Sequence, residues 1–300
     1  MKNYLITIIG PTAIGKTALS IKIAKHFNTE IISSDSRQFF KEMYIGTAVP
    51  SDLELSEVKH HFIQNISIHT EYNVGQFERD SMELLQELFK KHQIVVMVGG
   101  SGLYVDAVLK GLDNFPDVNP EIRENLKKEL GLFGISHLQD QLKKLDPVTY
   151  EKIDLENHQR VIRALEICIG TGKPYASFLT EATAKRNFTP IKIGLTADRQ
   201  IIYDRINQRV DIMMEEGLLE EVKELVTYKK LNALQTVGYK ELFLYLNNEM
   251  PLETAIEEIK KNTRRFAKRQ LTWYRKDDEI KWFDYQEDVS NIINYIFEKL

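Results

Sequence analysis

Cysteine is almost absent from this sequence of 300 residues, because Cys168 is the only one. A single thiol excludes an internal disulfide and is typical of a protein in a reducing compartment. The neighbours Ile167 and Ile169 are apolar, and the sequence around them offers no cluster of metal ligands. We therefore expect a cytoplasmic protein with a buried thiol.

Long hydrophobic runs are also missing. The longest examples, Tyr4–Ile9 and Ile94–Val98, fall far short of the roughly 20 apolar residues that a membrane-spanning helix requires. The first residues show neither an apolar signal region nor a small-residue cleavage site, so we expect no signal peptide and no membrane partner. With 43% hydrophobic and 28% charged residues, the composition indicates a globular protein of one large or two smaller domains.

A surplus of positive charge is missing as well, since the formal net charge is −4. The charge is nevertheless uneven, because Ile259–Lys276 contains eight basic residues and no acid. A solvent-exposed helix face normally mixes both signs, so this run predicts contact with the phosphates of a nucleic acid. We expect a long basic helix over Glu253–Tyr274, in which Phe266 and Trp273 pack inward.

Short apolar runs alternate with helical patterns in the N-terminal third of the chain. Tyr4–Ile9, Glu30–Ser34 and Ile94–Val98 read as strands, with helices after the first and third of them and over Phe77–His92. This alternation is typical of an α/β fold, a parallel sheet flanked by helices.

The pattern changes after Gly111. A proline-bearing connection leads into helical patterns that continue to about residue 183, and a strand returns at Ile191–Leu195. We therefore predict a core made of residues 1–113 and 190–300, with a mainly helical insertion domain at 114–189.

A glycine-rich turn follows the first strand and matches the pattern G-x-x-x-x-G-K-[ST]. Backbone N–H groups of such a loop converge on phosphate oxygens, and the helix behind it adds its positive dipole end. The lysine supplies a full charge, and the last hydroxyl is a candidate Mg²⁺ ligand. The predicted phosphate-binding residues of this P-loop NTPase-like core are Gly10, Pro11, Thr12, Ala13, Ile14, Gly15, Lys16 and Thr17, with Thr17 as the metal ligand.

The loop alone leaves open which phosphate compound it binds. The motif is found most often in ATPases, GTPases and small-molecule kinases. An Asn-Lys-x-Asp motif, which GTPases use to read the base, is missing, and the strand Ile94–Val98 ends in Gly99-Gly100 rather than in an acid. Chemistry other than ATP hydrolysis is therefore to be considered.

A carboxylate follows the second predicted strand, at Asp35. Ligands of an open parallel sheet lie outside the carboxyl ends of the strands, so we expect Asp35 on the same edge as the phosphate loop. There it could bind Mg²⁺, accept a proton or cap the following turn.

Several motifs, in family order and across nearly the whole chain, resemble the signature of bacterial tRNA dimethylallyltransferases. They are Ser34–Gln38, Tyr44–Ala48, His60–Phe62, Val98–Tyr104, Gln159–Glu166, Gln208–Val222, Val237–Glu241 and Arg264–Trp273. Together they are far more specific than the phosphate loop.

The resemblance implies a reaction. The family transfers a dimethylallyl group from dimethylallyl diphosphate to N6 of adenosine 37, just 3′ of the anticodon, in tRNAs that read codons starting with U. It implies that the phosphate loop, Arg209 and Mg²⁺ stabilise the leaving diphosphate, and that Asp35 takes the N6 proton. Ser101 stands where the family usually has threonine, and it keeps the hydroxyl for a hydrogen bond to substrate.

The resemblance also implies contacts with the tRNA anticodon stem-loop, whose target adenine must leave its stack before it can react. A monomeric enzyme is expected. The implied tRNA-binding residues are Asp35, Ser36, Arg37, Gln38, Ser101, Arg123, Gln159, Arg160, Val161, Ile162 and Arg163, and in the basic helix Arg264, Arg265, Lys268 and Arg269.

Three alternatives stay open at this point: a prenyltransferase acting on free adenine nucleotides, a P-loop small-molecule kinase, and a non-catalytic RNA-binding protein. The basic helix and the helical insertion favour a macromolecular acceptor. A kinase would require ATP turnover, and an RNA-binding protein would leave Lys16 and Asp35 without a role.

Overall fold

The computed structural model describes residues 2–179 and 184–300. Its six strands are β1 (Tyr4–Ile9), β2 (Ile31–Ser33), β3 (His60–His61), β4 (Ile94–Val98), β5 (Thr189–Thr196) and β6 (Lys281–Asp284). The α-helices are α1 (Lys16–His26), α2 (Asp52–Glu57), α3 (Val74–Leu88), α4 (Gly102–Lys110), α5 (Pro120–Phe133), α6 (Ile135–Leu145), α7 (Pro147–Lys152), α8 (His158–Thr171), α9 (Arg199–Glu215), α10 (Leu218–Glu224), α11 (Tyr239–Leu246), α12 (Leu252–Tyr274) and α13 (Val289–Lys299).

The strands form one sheet in the order β3-β2-β4-β1-β5-β6, and every pairing is parallel. Tyr4 of β1 is in register with Ile94 of β4 on one side and with Thr189 of β5 on the other. The predicted α/β class is therefore confirmed. The edge strands β3 and β6 were not predicted.

Strand β1 is buried on both faces, which explains why its sequence is apolar except for the buried Thr7. Ile6 and Ile8 belong to the core beneath α1, α9 and α13, whereas Leu5 and Ile9 belong to the opposite core beneath α3 and α4. Each fully buried side chain of this kind contributes about 1.5–3 kcal/mol by leaving water. The carboxyl end of β1 is thus held rigidly from both sides.

The chain divides into two compact units, one of Met1–Lys110 and Lys185–Leu300 and the other of Gly111–Ala184. The expected domain boundaries, 113/114 and 189/190, fall slightly later in the chain. Residues 180–183 of the expected insertion lie outside the described residues.

The second unit is helical within its described residues and has its own core. Pro120 opens α5 behind the N-cap Asn119, and Asn157 caps α8 by accepting the Arg160 N–H. Leu138 and Leu165 are fully buried in this core, and Cys168 is buried as expected.

Over residues 2–179 and 184–300, no helix is both long and apolar enough to cross a membrane.

Candidate active site

Three loops meet at the carboxyl edge of the sheet, because β2, β4 and β1 are adjacent and parallel. They carry Asp35–Gln38 after β2, Gly99–Gly102 after β4 and the phosphate loop after β1. A cavity of about 630 Å³ opens there, lined by Thr12, Asp35 and Ser101 among others. The structure thus brings together the residues that the sequence places at three separate strand ends.

The phosphate loop turns sharply between β1 and α1. Gly10 has a φ of 146°, and a Cβ there would lie 2.5 Å from the Leu195 carbonyl oxygen of β5. Lys16, the first residue of α1, donates from Nζ to the Pro11 carbonyl at 2.7 Å. Burial lowers the pKa of Lys16 to about 8; the nearby Asp35 opposes this shift and Arg209 adds to it. The lysine is therefore a partly desolvated cation, which favours an anionic ligand.

Asp35 lies near these cations. Its Oδ1 accepts the Arg37 backbone N–H at 3.1 Å, so the capping role considered for this carboxylate is present within a turn. Burial raises the pKa of Asp35, although the Arg37 amide and the charges of Lys16, Arg37 and Arg209 act against that rise. A partly desolvated carboxylate is a stronger base than one in water, as proton abstraction requires.

Hydrogen bonds from Ser36, Arg37 and Gln38 hold the segment after Asp35 in place. The Ser36 N–H donates to the Ser101 hydroxyl at 3.2 Å, and the two hydroxyls are 3.1 Å apart. Arg37 donates from Nη1 to the carbonyls of Asn232 and Ala233. Gln38 donates from Nε2 to the Ala48 carbonyl at 2.8 Å. These expected tRNA contacts therefore also shape the cavity rim.

A second loop of the rim is held by Glu221 of α10. Its carboxylate accepts the N–H groups of Tyr44, Ile45 and Gly46 at 2.7–3.0 Å and the Tyr239 hydroxyl at 2.5 Å. This fourfold acceptor fixes the residues that follow, including Thr47 at the cavity wall.

One row of side chains on helix α12 faces the cavity rather than the core. Phe266 and Trp273 line the cavity and remain 37% and 38% exposed, so the expectation that they pack inward is wrong. Gln270 lies between them and is buried, with 5% exposure. Their spacing of four and three residues is that of one helix face, and this spacing could have revealed the row in the sequence.

Arg209 of α9 also lines the cavity. Burial and the neighbouring Arg205 lower its pKa, whereas Asp35 and Glu54 raise it. Arg205, which no sequence motif indicates, donates from Nε to the Ala13 carbonyl of the phosphate loop at 2.8 Å.

The basic residues of α12 differ in their surroundings. Lys260 pairs with Asp211 at 2.8 Å and Glu257 at 3.1 Å, and Lys261 pairs with Glu258. Arg264 donates to the Asn207 side chain at 2.6 Å. Among the α12 cations of the predicted tRNA-binding set, Arg265, Lys268 and Arg269 are the more exposed ones.

The predicted tRNA-binding residues of the helical unit lie on α5 and α8. Arg123 contacts the buried Glu166 through Nε and Nη2 at 3.1 and 2.8 Å, and Arg163 contacts the same carboxylate at 3.1 Å. Val161 and Ile162 are 0% and 1% exposed. This burial corrects the expectation for those two side chains, which are enclosed in the unit's core. Gln159 and Arg160 are exposed.

The sequence profile described as IPP transferase matches residues 38–277. The chain belongs to the IPP transferase family. A relative named tRNA dimethylallyltransferase from Christiangramia forsetii is 63% identical over 300 residues, covering 100% of this chain and 99% of that protein. One of the same name from Flavobacterium psychrophilum is 60% identical over 304 residues, with 99% of each chain covered.

Solved structures of IPP transferases resemble this one along its whole length. The full-length tRNA isopentenylpyrophosphate transferase of Bacillus halodurans gives a TM-score of 0.74 at 38% identity, covering 99% of this chain and 97% of that one. A eukaryotic dimethylallyltransferase acting on tRNA gives 0.81 at 28% identity, covering 99% and 77%. The predicted family resemblance, enzyme class and P-loop-like fold are therefore confirmed.

The pKa of Lys16 leads to a pH prediction for this IPP transferase. Since the lysine loses its proton above about pH 8, kcat/KM for dimethylallyl diphosphate should fall on the alkaline side as the loop loses its charge. Lys16→Arg keeps the charge, because arginine stays protonated up to a pH of about 12, and should shift this alkaline limb upward. Initial rates at subsaturating donor across the pH range test it. An alkaline limb that is the same in both proteins would assign it to another group.

Proposed function

We propose that the chain transfers a dimethylallyl group from dimethylallyl diphosphate to N6 of adenosine 37 in tRNAs that read codons starting with U. The observation that carries this proposal is the cavity in which a phosphate loop and the half-buried carboxylate of Asp35 meet. A cavity of about 630 Å³ is within the usual range for small-molecule sites. The names of the relatives and the basic surface of α12 support tRNA as the source of the adenine.

The phosphate loop binds the diphosphate of the donor in this proposal. Its backbone N–H groups, Lys16 and Arg209 surround the oxygens that gain charge when the allylic C–O bond breaks. Because these groups are fixed and largely desolvated before the substrate arrives, they favour the charge of the leaving group more than water does. By stabilising the leaving diphosphate, these groups favour cleavage of the C–O bond and the positive charge that develops on the allylic carbon.

Asp35 acts on the other reactant. The N6 lone pair of adenine is delocalised into the ring, so N6 is a weak nucleophile unless its proton is removed as the new bond forms. N6 attacks C1 of the dimethylallyl group, the C1–O bond breaks, its electron pair leaves with the diphosphate, and the N6 proton moves to Asp35. The Ser101 hydroxyl, held against Ser36, donates a hydrogen bond to the substrate.

A divalent cation, Mg²⁺ in our proposal, would enter with the donor. Within residues 2–179 and 184–300, no group of three or more His, Cys, Asp or Glu could hold a metal ion. Mg²⁺ commonly takes few protein ligands and completes its shell with phosphate oxygens and water, so the site suits it. The Thr17 hydroxyl would hold the cation, and the cation would neutralise charge on the diphosphate.

The tRNA is expected to contact α12 and the helical unit 111–184, through Arg123, Gln159, Arg160 and Arg163. Flipping of the target base would bring its N6 to Asp35. We propose a cytoplasmic, monomeric enzyme.

The exposed cations of α12 give a prediction on salt dependence. Arg265→Gln, Lys268→Gln and Arg269→Gln together should weaken tRNA binding. They should also reduce the slope of log Kd against log salt concentration by roughly 0.7–0.9 for each tRNA phosphate that the helix no longer neutralises. Lys260→Gln with Lys261→Gln is the matched control on the same helix, because those cations already pair with acids. Equal slopes for the two variants would argue against a role for this surface.

Transfer of label tests the function directly. The protein is incubated with labelled dimethylallyl diphosphate, Mg²⁺ and either unmodified tRNA or AMP, and a third reaction offers ATP without the prenyl donor. We expect label in tRNA at adenosine 37 and none in AMP. Label in AMP alone would assign the chain to the adenine-nucleotide prenyltransferases, and turnover of ATP would assign it to the kinases.

A further inference from the structure

Gln270 makes two hydrogen bonds that join α12 to the carboxyl edge of the sheet. Its Oε1 accepts the Thr12 N–H of the phosphate loop at 2.9 Å, and its Nε2 donates to the Gly100 carbonyl at 3.0 Å. One carboxamide therefore connects the loop after β1 with the loop after β4.

The fit around this carboxamide is tight. A Cβ at Gly100 would collide with Gln270 Nε2, and one at Gly102 would lie 2.5 Å from the Trp273 ring. Glycine at these two positions is thus explained by the close approach of α12. Because Gln270 is buried against them, its removal would take away the partner that the Thr12 N–H and the Gly100 carbonyl have in the folded protein.

The polar groups of three consecutive loop residues are engaged in the same way. The Pro11 carbonyl accepts from Lys16, the Thr12 N–H donates to Gln270, and the Ala13 carbonyl accepts from Arg205. Ala13 has a φ of 63°, a left-handed conformation that costs a non-glycine residue of the order of 1 kcal/mol or more. Such a conformation persists only where the surroundings hold it, and here α9 and α12 do so from outside the loop.

We propose that Gln270 is a positioning residue, which keeps the phosphate loop in the conformation that a diphosphate requires. It acts through the Thr12 peptide and Gly100 rather than on the substrate. A loop that is ordered before binding loses less conformational entropy when the anion arrives, so the effect falls on donor affinity. This inference rests on the proposed function of the loop as the diphosphate site.

Gln270→Met removes the carboxamide at similar length, and Gln270→Ala serves where the methionine disturbs packing. Inorganic diphosphate is the binding probe, titrated in the presence of Mg²⁺, with KM for the donor, kcat, tRNA Kd and the unfolding midpoint measured beside it. We expect diphosphate Kd and donor KM to rise about tenfold. This change corresponds to the loss of roughly two net hydrogen bonds. We expect kcat at saturating donor and tRNA Kd to stay within about twofold, because bound donor restores the loop.

Thr272→Ala is the control, since this exposed hydroxyl donates to the Lys268 carbonyl of its own helix, and it should match the unchanged protein. A folded Gln270 variant with unchanged diphosphate Kd would overturn the proposal. Equal losses of diphosphate affinity, tRNA affinity and kcat would overturn it too, because they would indicate a general structural role for Gln270. If Lys16→Met also binds diphosphate as well as the unchanged protein does, the assignment of the loop itself fails, which is a different outcome.

Discussion

Asp35→Asn is expected to lower kcat for prenyl transfer to tRNA by about a thousandfold, in the middle of the range for loss of a general base. Asparagine has nearly the same shape and can still accept the Arg37 N–H, but it cannot take the N6 proton. Single-turnover transfer of labelled dimethylallyl to tRNA, at saturating donor, is the measurement.

Stability provides the control for Asp35. Burial raises the pKa of this carboxyl in the folded protein, so at neutral pH the ionised form costs folding free energy that the unfolded chain does not incur. Asp35→Asn should therefore unfold at an equal or higher temperature while activity falls. The exposed Asp52→Asn, on α2, should leave both quantities unchanged. Near-normal transfer by Asp35→Asn would remove the proton-acceptor role.

Lys16→Met is expected to lower kcat/KM for dimethylallyl diphosphate by about a hundredfold to a thousandfold, as for loss of one preorganised group at a developing charge. The lysine is partly desolvated and lies near Asp35 and Arg209. A water molecule in the space left by the methionine substitution would not replace its positive charge. Steady-state kinetics with varied donor and saturating tRNA would show the loss.

Lys22→Met is the matched control for Lys16, since both residues lie on α1 and Lys22 is exposed. It should leave the kinetics unchanged. The tRNA affinity of Lys16→Met should also be unchanged, because the lysine acts on the donor. A variant that retained donor kinetics would show that the diphosphate lies elsewhere.

Much of the fold follows from local sequence. Strand β4 is an unbroken apolar run, and β1 is interrupted only by the buried Thr7. Both are bounded by polar or glycine residues, and their predicted limits are those of the structure. Strand β3 has only two residues, both histidine, and β6 lies at the sheet edge with exposed ends. Neither has an apolar run long enough to predict a strand, and only pairing with a formed neighbour defines them.

The candidate site was predictable only in part. Motifs identify Lys16 and Asp35, since their chemistry is visible in the residue types and their strand ends place them on one edge. The roles of Gln270 and Arg205 depend on contacts across 258 and 192 residues of chain, which no local pattern contains. The spacing of Phe266 and Trp273 places them on one helix face, but it does not show whether that face meets a core or a cavity, and the expectation of burial was wrong for this reason.

The position of β1 between β4 and β5 has a consequence for the order of synthesis. The phosphate motif is complete once Thr17 has been made, but Gly10 turns against Leu195 of β5, a strand that begins only at Thr189. Pairing across so much chain is slow and must wait until the ribosome has released the later strand. A nascent chain ending before β5 would therefore carry the full signature of a phosphate-binding protein without its binding site.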